Sequence, residues 1–404
     1  MSTETINRGR NRRRWAMLGI ACSSALSVNV TQQGISPVLP LVMQELGLNY
    51  TEAGLLMSMA SVPALLLAIV AGMLADRYGL RKLFSGALGI VLAGTSVVAT
   101  GGSLGVLLAG RLIAGVGTVM LTVLAGKMVA QWFAGREMGT AMGTYNTAGA
   151  PLGTICAMTI LPLLASSFGW RGAIEMAMAV PALALVLFNV FYRPVQPAGS
   201  APRKGLGGFR ALREVGLPMW LFGIAQVGWN GAASCILAFT PVFLNSSGFS
   251  LVNAGLLTSA FMWPGLFLSI PMGYGVDRLG HKRLMMAAGG LALAAFTLLI
   301  PVYAGAALLI MLLVGLSKVP IPPAGLALTP ELVRPDRTGL AFGISATCSS
   351  LGGVIGPTTA GWARDFSGSY TPSYVIMACL SLLLPVCMGV SWLLARRAAV
   401  ARMV

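Results

Sequence analysis

Long apolar runs alternate along the chain with short polar stretches that hold most of its charge. A helix rises about 1.5 Å per residue, so about 20 apolar residues cross the ~30 Å hydrocarbon core of a bilayer. Runs of that kind predict helices over 15–43, 53–75, 83–100, 104–131, 138–165 and 170–192. Six more follow over 216–244, 254–276, 284–302, 306–330, 339–363 and 373–395. Between the two sets lies 193–215, which carries Pro194, Pro197, Pro202, Gly205 and Gly207 beside Arg203 and Lys204. This stretch predicts a cytoplasmic linker between a six-helix half at 1–192 and a second at 216–404. The expected fold class is an all-α membrane protein of twelve transmembrane helices.

Composition agrees with that pattern. Of the 404 residues 56% are hydrophobic and 9% charged, against about 25% charged in soluble domains. The formal charge of +16 would suggest nucleic acid in a soluble chain. Here the basic residues sit between spans, so no nucleic-acid partner is expected. With the N-terminus inside, every Lys and Arg falls on the inner side except Arg171 and Arg364, outside, and Arg111 and Lys318, within spans. That is the positive-inside pattern, and it places both termini in the cytoplasm of a cell whose inner (plasma) membrane holds the chain. The first apolar run exceeds the 7–15 residues of a signal-peptide core, so it reads as a retained span.

The chain also repeats itself. Gly72-Met-Leu-Ala-Asp76-Arg77-Tyr-Gly79-Leu-Arg81-Lys82 returns 201 positions later as Gly273-Tyr-Gly-Val-Asp277-Arg278-Leu-Gly280-His-Lys282-Arg283. Gly54-Leu-Leu-Met-Ser58 matches Gly255-Leu-Leu-Thr-Ser259, and Pro63 matches Pro264. At an offset of 200, Gly139-Thr-Ala-Met-Gly143 matches Gly339-Leu-Ala-Phe-Gly343, and Gly153 matches Gly353. Parallel repeats of this kind imply two halves related by a pseudo-twofold axis along the membrane normal, with a cavity between them.

Charges inside spans cost at least about 2.5–3.5 kcal/mol on insertion scales and are functional by default. Lys318 lies mid-span in Gly315-Leu-Ser-Lys318-Val-Pro320-Ile-Pro322-Pro323. Those prolines free backbone carbonyls beside it, which is tolerated only next to protein or a water-filled cavity. Arg111 lies in the outer half of the fourth span, open to either binding or bracing. Asn29 and Asn230 hold equivalent places in the first and seventh spans. Gln226, Trp229 and Asn230 share one helical stripe, and Gln32 follows Asn29 by about one turn. Tyr145 and Asn146 are further candidates in the fifth span. None of the eleven acidic residues falls at a span centre. Glu175, four residues after Arg171, is the expected partner of that arginine.

Catalytic and metal motifs add little. The six cysteines lie in apolar runs without paired spacing and read as buried free thiols, with no metal site. Gly101-Gly-Ser103-Leu-Gly105 satisfies a hydrolase pattern but sits in a turn between two helices. The one histidine, His281, lies across the membrane from it. No enzyme activity and no cofactor are expected.

The loop at 72–82 and its copy at 273–283 resemble the signature loops of the major facilitator superfamily, between helices 2 and 3 and between helices 8 and 9. Arg111-Leu-Ile-Ala-Gly115-Val-Gly117 resembles the family's helix-4 motif. The resemblance implies alternating access, with Asp76, Arg77, Gly79, Arg81, Asp277 and Arg278 in conformational gating as a latch on the outward-open state. It also implies that exporters of cationic drugs need a buried carboxylate, which is missing here. The stretch from Lys127 to Gly143 resembles branches that move small anions, although the paired arginines of the nitrate branch are absent. The expectation is a monomeric secondary transporter of a small organic anion, a carboxylate-type substrate, working as a proton-coupled symporter. Lys318 would meet the anion, and Asn29, Gln32, Trp229, Asn230, Arg111, Tyr145 and Asn146 would shape the site. The alternative is a proton-coupled drug or metabolite efflux antiporter with Arg111 central.

Overall fold

A computed structural model of the chain describes residues 3–133, 137–192, 215–334 and 337–400. Side chains of residues 3–12, of Asp76, Arg77 and Asp277, and of a few other helical positions lie outside that description, as does most of the expected linker. The described residues are helical almost throughout.

α1 (Thr3–Gln33) and α2 (Leu39–Leu46) form the first span, parted by a 3-10 turn at Ser36–Val38 that carries Pro37. α3 (Tyr50–Met59) and α4 (Val62–Tyr78) form the second, and α5 (Leu80–Thr100) and α6 (Leu104–Trp132) the third and fourth. α7 (Met138–Thr147) passes through a π turn at Ala148–Leu152 into α8 (Gly153–Ala177), followed by α9 (Ala179–Phe191). In the second half come α10 (Leu217–Ser246), then α11 (Leu251–Ser259) with α12 (Trp263–Leu279), then α13 (Lys282–Leu299). α14 (Ala307–Lys318) with α15 (Ile321–Leu328), α16 (Thr338–Ser367) and α17 (Thr371–Val400) complete the chain.

Among the described residues ten segments are long and apolar enough to cross a membrane. One of them, the 52-residue Thr140–Phe191, leaves helical geometry at Gly169 (φ 70°, ψ 171°), and that break divides it into two crossings. α1, with its basic start, supplies the remaining crossing, which makes twelve.

Several spans expected to be continuous are broken, and proline chemistry explains the breaks. Pro63 has no N–H for the Met59 carbonyl, and Pro264 none for that of Ala260, so the second and eighth spans part at matching positions. Pro320, Pro322 and Pro323 do the same between α14 and α15. Pro151 leaves the Thr147 carbonyl without its usual donor and is accommodated by the π turn.

Core packing is uneven along the membrane normal. At the end away from the termini one apolar cluster joins both halves, from Val38, Leu56 and Met158 to Phe239, Phe261 and Tyr374. At the end bearing the termini the core divides in two. Phe84, Leu124, Phe133 and Phe188 fill one cluster, and Phe222, Met286, Leu328 and Met388 the other. The halves are therefore joined at one face and separately packed at the opposite face.

The joined face relies on close backbone contact. A β-carbon on Gly54 would lie 2.2 Å from the Pro357 carbonyl oxygen, and one on Gly255 would lie 2.2 Å from that of Met158. These glycines are repeat equivalents, and each meets the other half. Ser58 and Thr358 hydroxyls share a hydrogen bond of 3.0 Å across the same seam. Asp365 at the end of α16 accepts from Tyr50 N–H (3.0 Å), Thr51 N–H (2.7 Å) and the Thr51 hydroxyl (2.5 Å). That carboxylate faces the N-terminus of α3, where backbone donors lack helical partners and the dipole favours negative charge.

Candidate functional site

Lys318 ends α14 at the proline break and is 8% exposed. Its Nζ lies 3.9 Å from the centroid of the Phe261 ring and 2.7 Å from Met262 Sδ. Among the described residues no carboxylate pairs with it. Gly315, one turn earlier, brings α14 onto the break in the eighth span: a β-carbon there would meet Phe261 O at 2.6 Å. Since positions i and i+3 share a helix face, the same contact carries Lys318 over the Phe261 ring. Gly265, on the next turn of α12, faces Lys318 Cε at 3.8 Å, Ser269 Oγ at 3.9 Å and Pro151 Cγ at 4.0 Å from its would-be β-carbon. Pro151 belongs to the other half. The lysine thus stands where breaks in three spans meet.

Arg111 is 2% exposed and makes five hydrogen bonds to carbonyls. Its Nε donates to Leu56 O (3.3 Å), Nη1 to Thr31 O (3.0 Å) and Gln32 O (3.1 Å), and Nη2 to Gln32 O (3.0 Å) and Met57 O (3.4 Å). α1 stops at Gln33 and α3 at Met59, so these are last-turn carbonyls without intrahelical donors, at the negative ends of two helix dipoles. All five guanidinium donors are taken. Arg111 braces two broken helices in this conformation, and the expectation that it helps bind substrate is not supported by its contacts.

The polar candidates scatter. Trp229 on α10 is half-buried and touches both the shared core and the second half's own cluster. The half-buried Asn230 amide has no hydrogen-bond partner among the described residues. Gln226 donates to Ser345 Oγ (3.1 Å), and Gln32 reaches Thr118 Oγ1 at 3.5 Å. Asn29 donates to Ala25 O of its own helix (2.9 Å) and abuts the fifth span, 2.7 Å from the would-be β-carbon of Gly153 to its own Cβ. Tyr145 is buried in the first half's cluster, against which Cys22 also packs. Asn146 is exposed.

In the signature loop Gly79 has φ 81°, a conformation glycine adopts without a steric cost. Arg81 Nη2 donates to Asn189 O (3.2 Å) of its own half. In the second copy Lys282 pairs with Glu331 at 2.5 Å, also within one half, and Arg278 is exposed. The side chains of Asp76, Arg77 and Asp277 lie outside the described set. Arg171 pairs with Glu45 rather than Glu175, because Gly169 turns the chain and sets Trp170 and Arg171 beside the end of α2. Trp170 Nε1 donates to the same carboxylate at 2.6 Å. All six cysteines are free, but only Cys235 and Cys387 are buried; Cys22, Cys156 and Cys348 are half-buried and Cys379 is exposed.

Sequence reasoning missed Phe261, Met262 and Gly265, since an aromatic, a methionine and a glycine in an apolar run look like ordinary span residues. The signal was available in the repeat. Pro264 follows Phe261 at the spacing by which Pro63 follows Ala60.

The profile of the Major Facilitator Superfamily matches residues 17–257 and 248–402. The chain belongs to the Major Facilitator Superfamily. It is a multi-pass membrane transporter and not an enzyme. A 2-nitroimidazole transporter of Escherichia coli (strain K12) is 25% identical over 90% of this chain and 91% of its own. The probable sulfoacetate transporter SauU of Cupriavidus necator is 25% identical over 92% of each. The multi-drug resistance efflux pump PmrA of Streptococcus pneumoniae is 25% identical over 86% of this chain and 89% of its own. In fold the transporter matches the crystal structure of nucleoside transporter NupG, with a TM-score of 0.75, 16% identity and coverage of 93% and 99%. It also matches a bacterial homologue of human Spinster in its inward-facing, occupied conformation, with a TM-score of 0.77, 16% identity and coverage of 96% and 97%.

Proposed function

We propose that this facilitator carries a small organic anion of carboxylate type by alternating access, as a proton symporter in the inner membrane. The halves are residues 1–192 and 216–404, joined by a cytoplasmic linker at 193–215, and both termini are cytoplasmic. On that orientation the conformation is inward-facing, since the joined face is then the outer one. The observation that carries the reading is Lys318: a buried cation with no carboxylate partner among the described residues, at the breaks of two spans and across Gly265 from the other half. An ammonium held in that way offers a charge-assisted hydrogen bond to an anion. Trp229, Asn230 and Gln32 would line the path to it, while Arg111 holds the first half's broken helices. The loops with Asp76, Arg77, Arg81, Asp277 and Arg278 would latch the opposite, outward-open conformation; Arg81 now bonds within its own half. The unit of function is a monomer.

A thermal-shift screen of the purified protein against small carboxylates, sulfonates and lipophilic cations at two pH values tests the reading, since a ligand that binds only the folded state stabilises it. Stabilisation by the anions that is lost in Lys318→Ala is expected. Stabilisation by cations alone would favour the second reading, a proton-coupled drug or metabolite exporter, to which the soft surface of Phe261, Met262 and Trp229 lends support. The drug-efflux relative points the same way.

A further inference from the structure

The two repeats differ in a concerted way at one place. In the first half Gly115 packs on the break of the second span, with a would-be β-carbon 2.6 Å from Ala60 O. In the second half Gly315 packs on the break of the eighth, 2.6 Å from Phe261 O. One turn after these glycines stand Thr118 and Lys318. At the breaks themselves stand Ala60-Ser61 and Phe261-Met262. The backbone geometry is shared, but a hydroxyl, a methyl and a second hydroxyl in one half are replaced by an ammonium, an aromatic ring and a thioether in the other. The ring is fully buried, and the ammonium sits over its face.

An alternating-access carrier that performs net uptake must return without substrate. On that leg a buried ammonium needs a partner supplied by the chain, because an uncompensated charge in a closed, dry site is costly. A carboxylate would meet that need but would also compete with an anionic substrate. A ring face and a sulfur are weaker: cation–π attraction offsets part of the cost of a desolvated ammonium and gives way to a formal negative charge.

We propose that Phe261, with Met262, is the surrogate partner of Lys318 on the substrate-free return, and so sets the rate of net transport rather than the grip on substrate. The inference rests on the reading that Lys318 meets the transported anion. Phe261 is a positioning residue here: it acts through the lysine. Exchange of internal for external anion never passes through the substrate-free return, so exchange and net uptake should separate when the ring is removed.

The test uses the full-length protein in proteoliposomes, with acetate, lactate, tartrate and sulfoacetate as labelled probes. Phe261→Leu is expected to slow net uptake about tenfold, the scale of a desolvated cation–π contact, and to leave counterflow exchange within about twofold. Met262→Leu, which keeps volume, should give the same separation to a smaller degree. Retained exchange shows that the variants fold. Equal loss of both modes in both variants, or no loss in either, overturns the inference. Lys318→Met separates this from the parent reading: undiminished exchange in that variant, or transport of none of the four anions by the wild type, would overturn the anion reading and this inference with it.

Discussion

Ser36 donates its hydroxyl hydrogen to the carbonyl of Leu237, the residue that holds Ser36's own place in the second repeat, 201 positions later. Two equivalent positions touch there, at the meeting of the halves and at the face where the shared core is continuous. The same face holds the paired contacts of Gly54 with Pro357 and Gly255 with Met158. The molecule is therefore closed by its own symmetry at one end and has separate cores at the other.

Crowding that seam should shift conformation without unfolding either half. Gly54→Ala and Gly255→Ala each place a β-carbon 2.2 Å from a backbone oxygen of the opposite half, which no rotamer change relieves. Spin labels across the joined face should report a wider distance in both variants. Unchanged distances with intact folding would contradict the seam described here.

The Asp365 cap on α3 has no counterpart among the repeat pairs, so it biases one side of the seam. Asp365→Asn keeps shape but removes the charge at the helix N-terminus, worth about 1 kcal/mol, or a roughly fivefold shift between closed and open populations. Single-molecule fluorescence across the same face measures that shift. Arg364 stacks on Tyr50 and Tyr370 at 4.8 and 4.4 Å, so Arg364→Gln should act in the same direction.

Arg111 and Lys318 should part company in stability. Arg111→Met strips donors from four helix-end carbonyls, and a loss of at least ~3 kcal/mol is expected in denaturant unfolding. Lys318→Met removes a buried charge that has no carboxylate partner among the described residues and should leave the melting temperature unchanged or raised. A reversed order would contradict the roles assigned to the two.

Glu45, exposed in the last turn of α2 and past the apolar run that ends at residue 43, supplies a pH prediction at the joined face. Its hydrogen bonds to Arg171 and then Trp170 hold its carboxyl below the ordinary carboxylate value, with burial opposing them. A depressed carboxylate stabilises above its unfolded pKa, and that contribution fades as pH falls through the folded value. Acid should therefore loosen the α2–α8 contact, and Glu45→Gln should flatten the low-pH part of the melting curve. An unchanged acid limb would sink the assignment.

Much of this was legible in the sequence. Apolar runs and charged loops gave twelve crossings, and Gly72–Lys82 with its copy gave the two-half plan, because bilayer thickness and helix rise leave few alternatives. Lys318 stood out because a charge is rare at a span centre. Other features were hidden for identifiable reasons. Whether Arg111 grips substrate or carbonyls depends on where α1 and α3 end, and those ends follow from Pro37 and Pro63 acting within broken helices. That Tyr145 packs into a core cluster was not legible either, since a phenol carries both a polar tip and enough apolar surface to join a core. Arg171 chose Glu45 over Glu175 because Gly169 redirects the chain, a tertiary effect outside the reach of i to i+4 spacing.

The central claim is that Lys318 is the charge that receives the transported anion. Uptake of labelled sulfoacetate, tartrate, lactate and acetate into proteoliposomes, wild type against Lys318→Ala, tests it most directly. The account predicts that the wild type carries at least one of the four and that the variant, equally folded, carries it at background rate. Wild-type uptake by Lys318→Ala would contradict the claim.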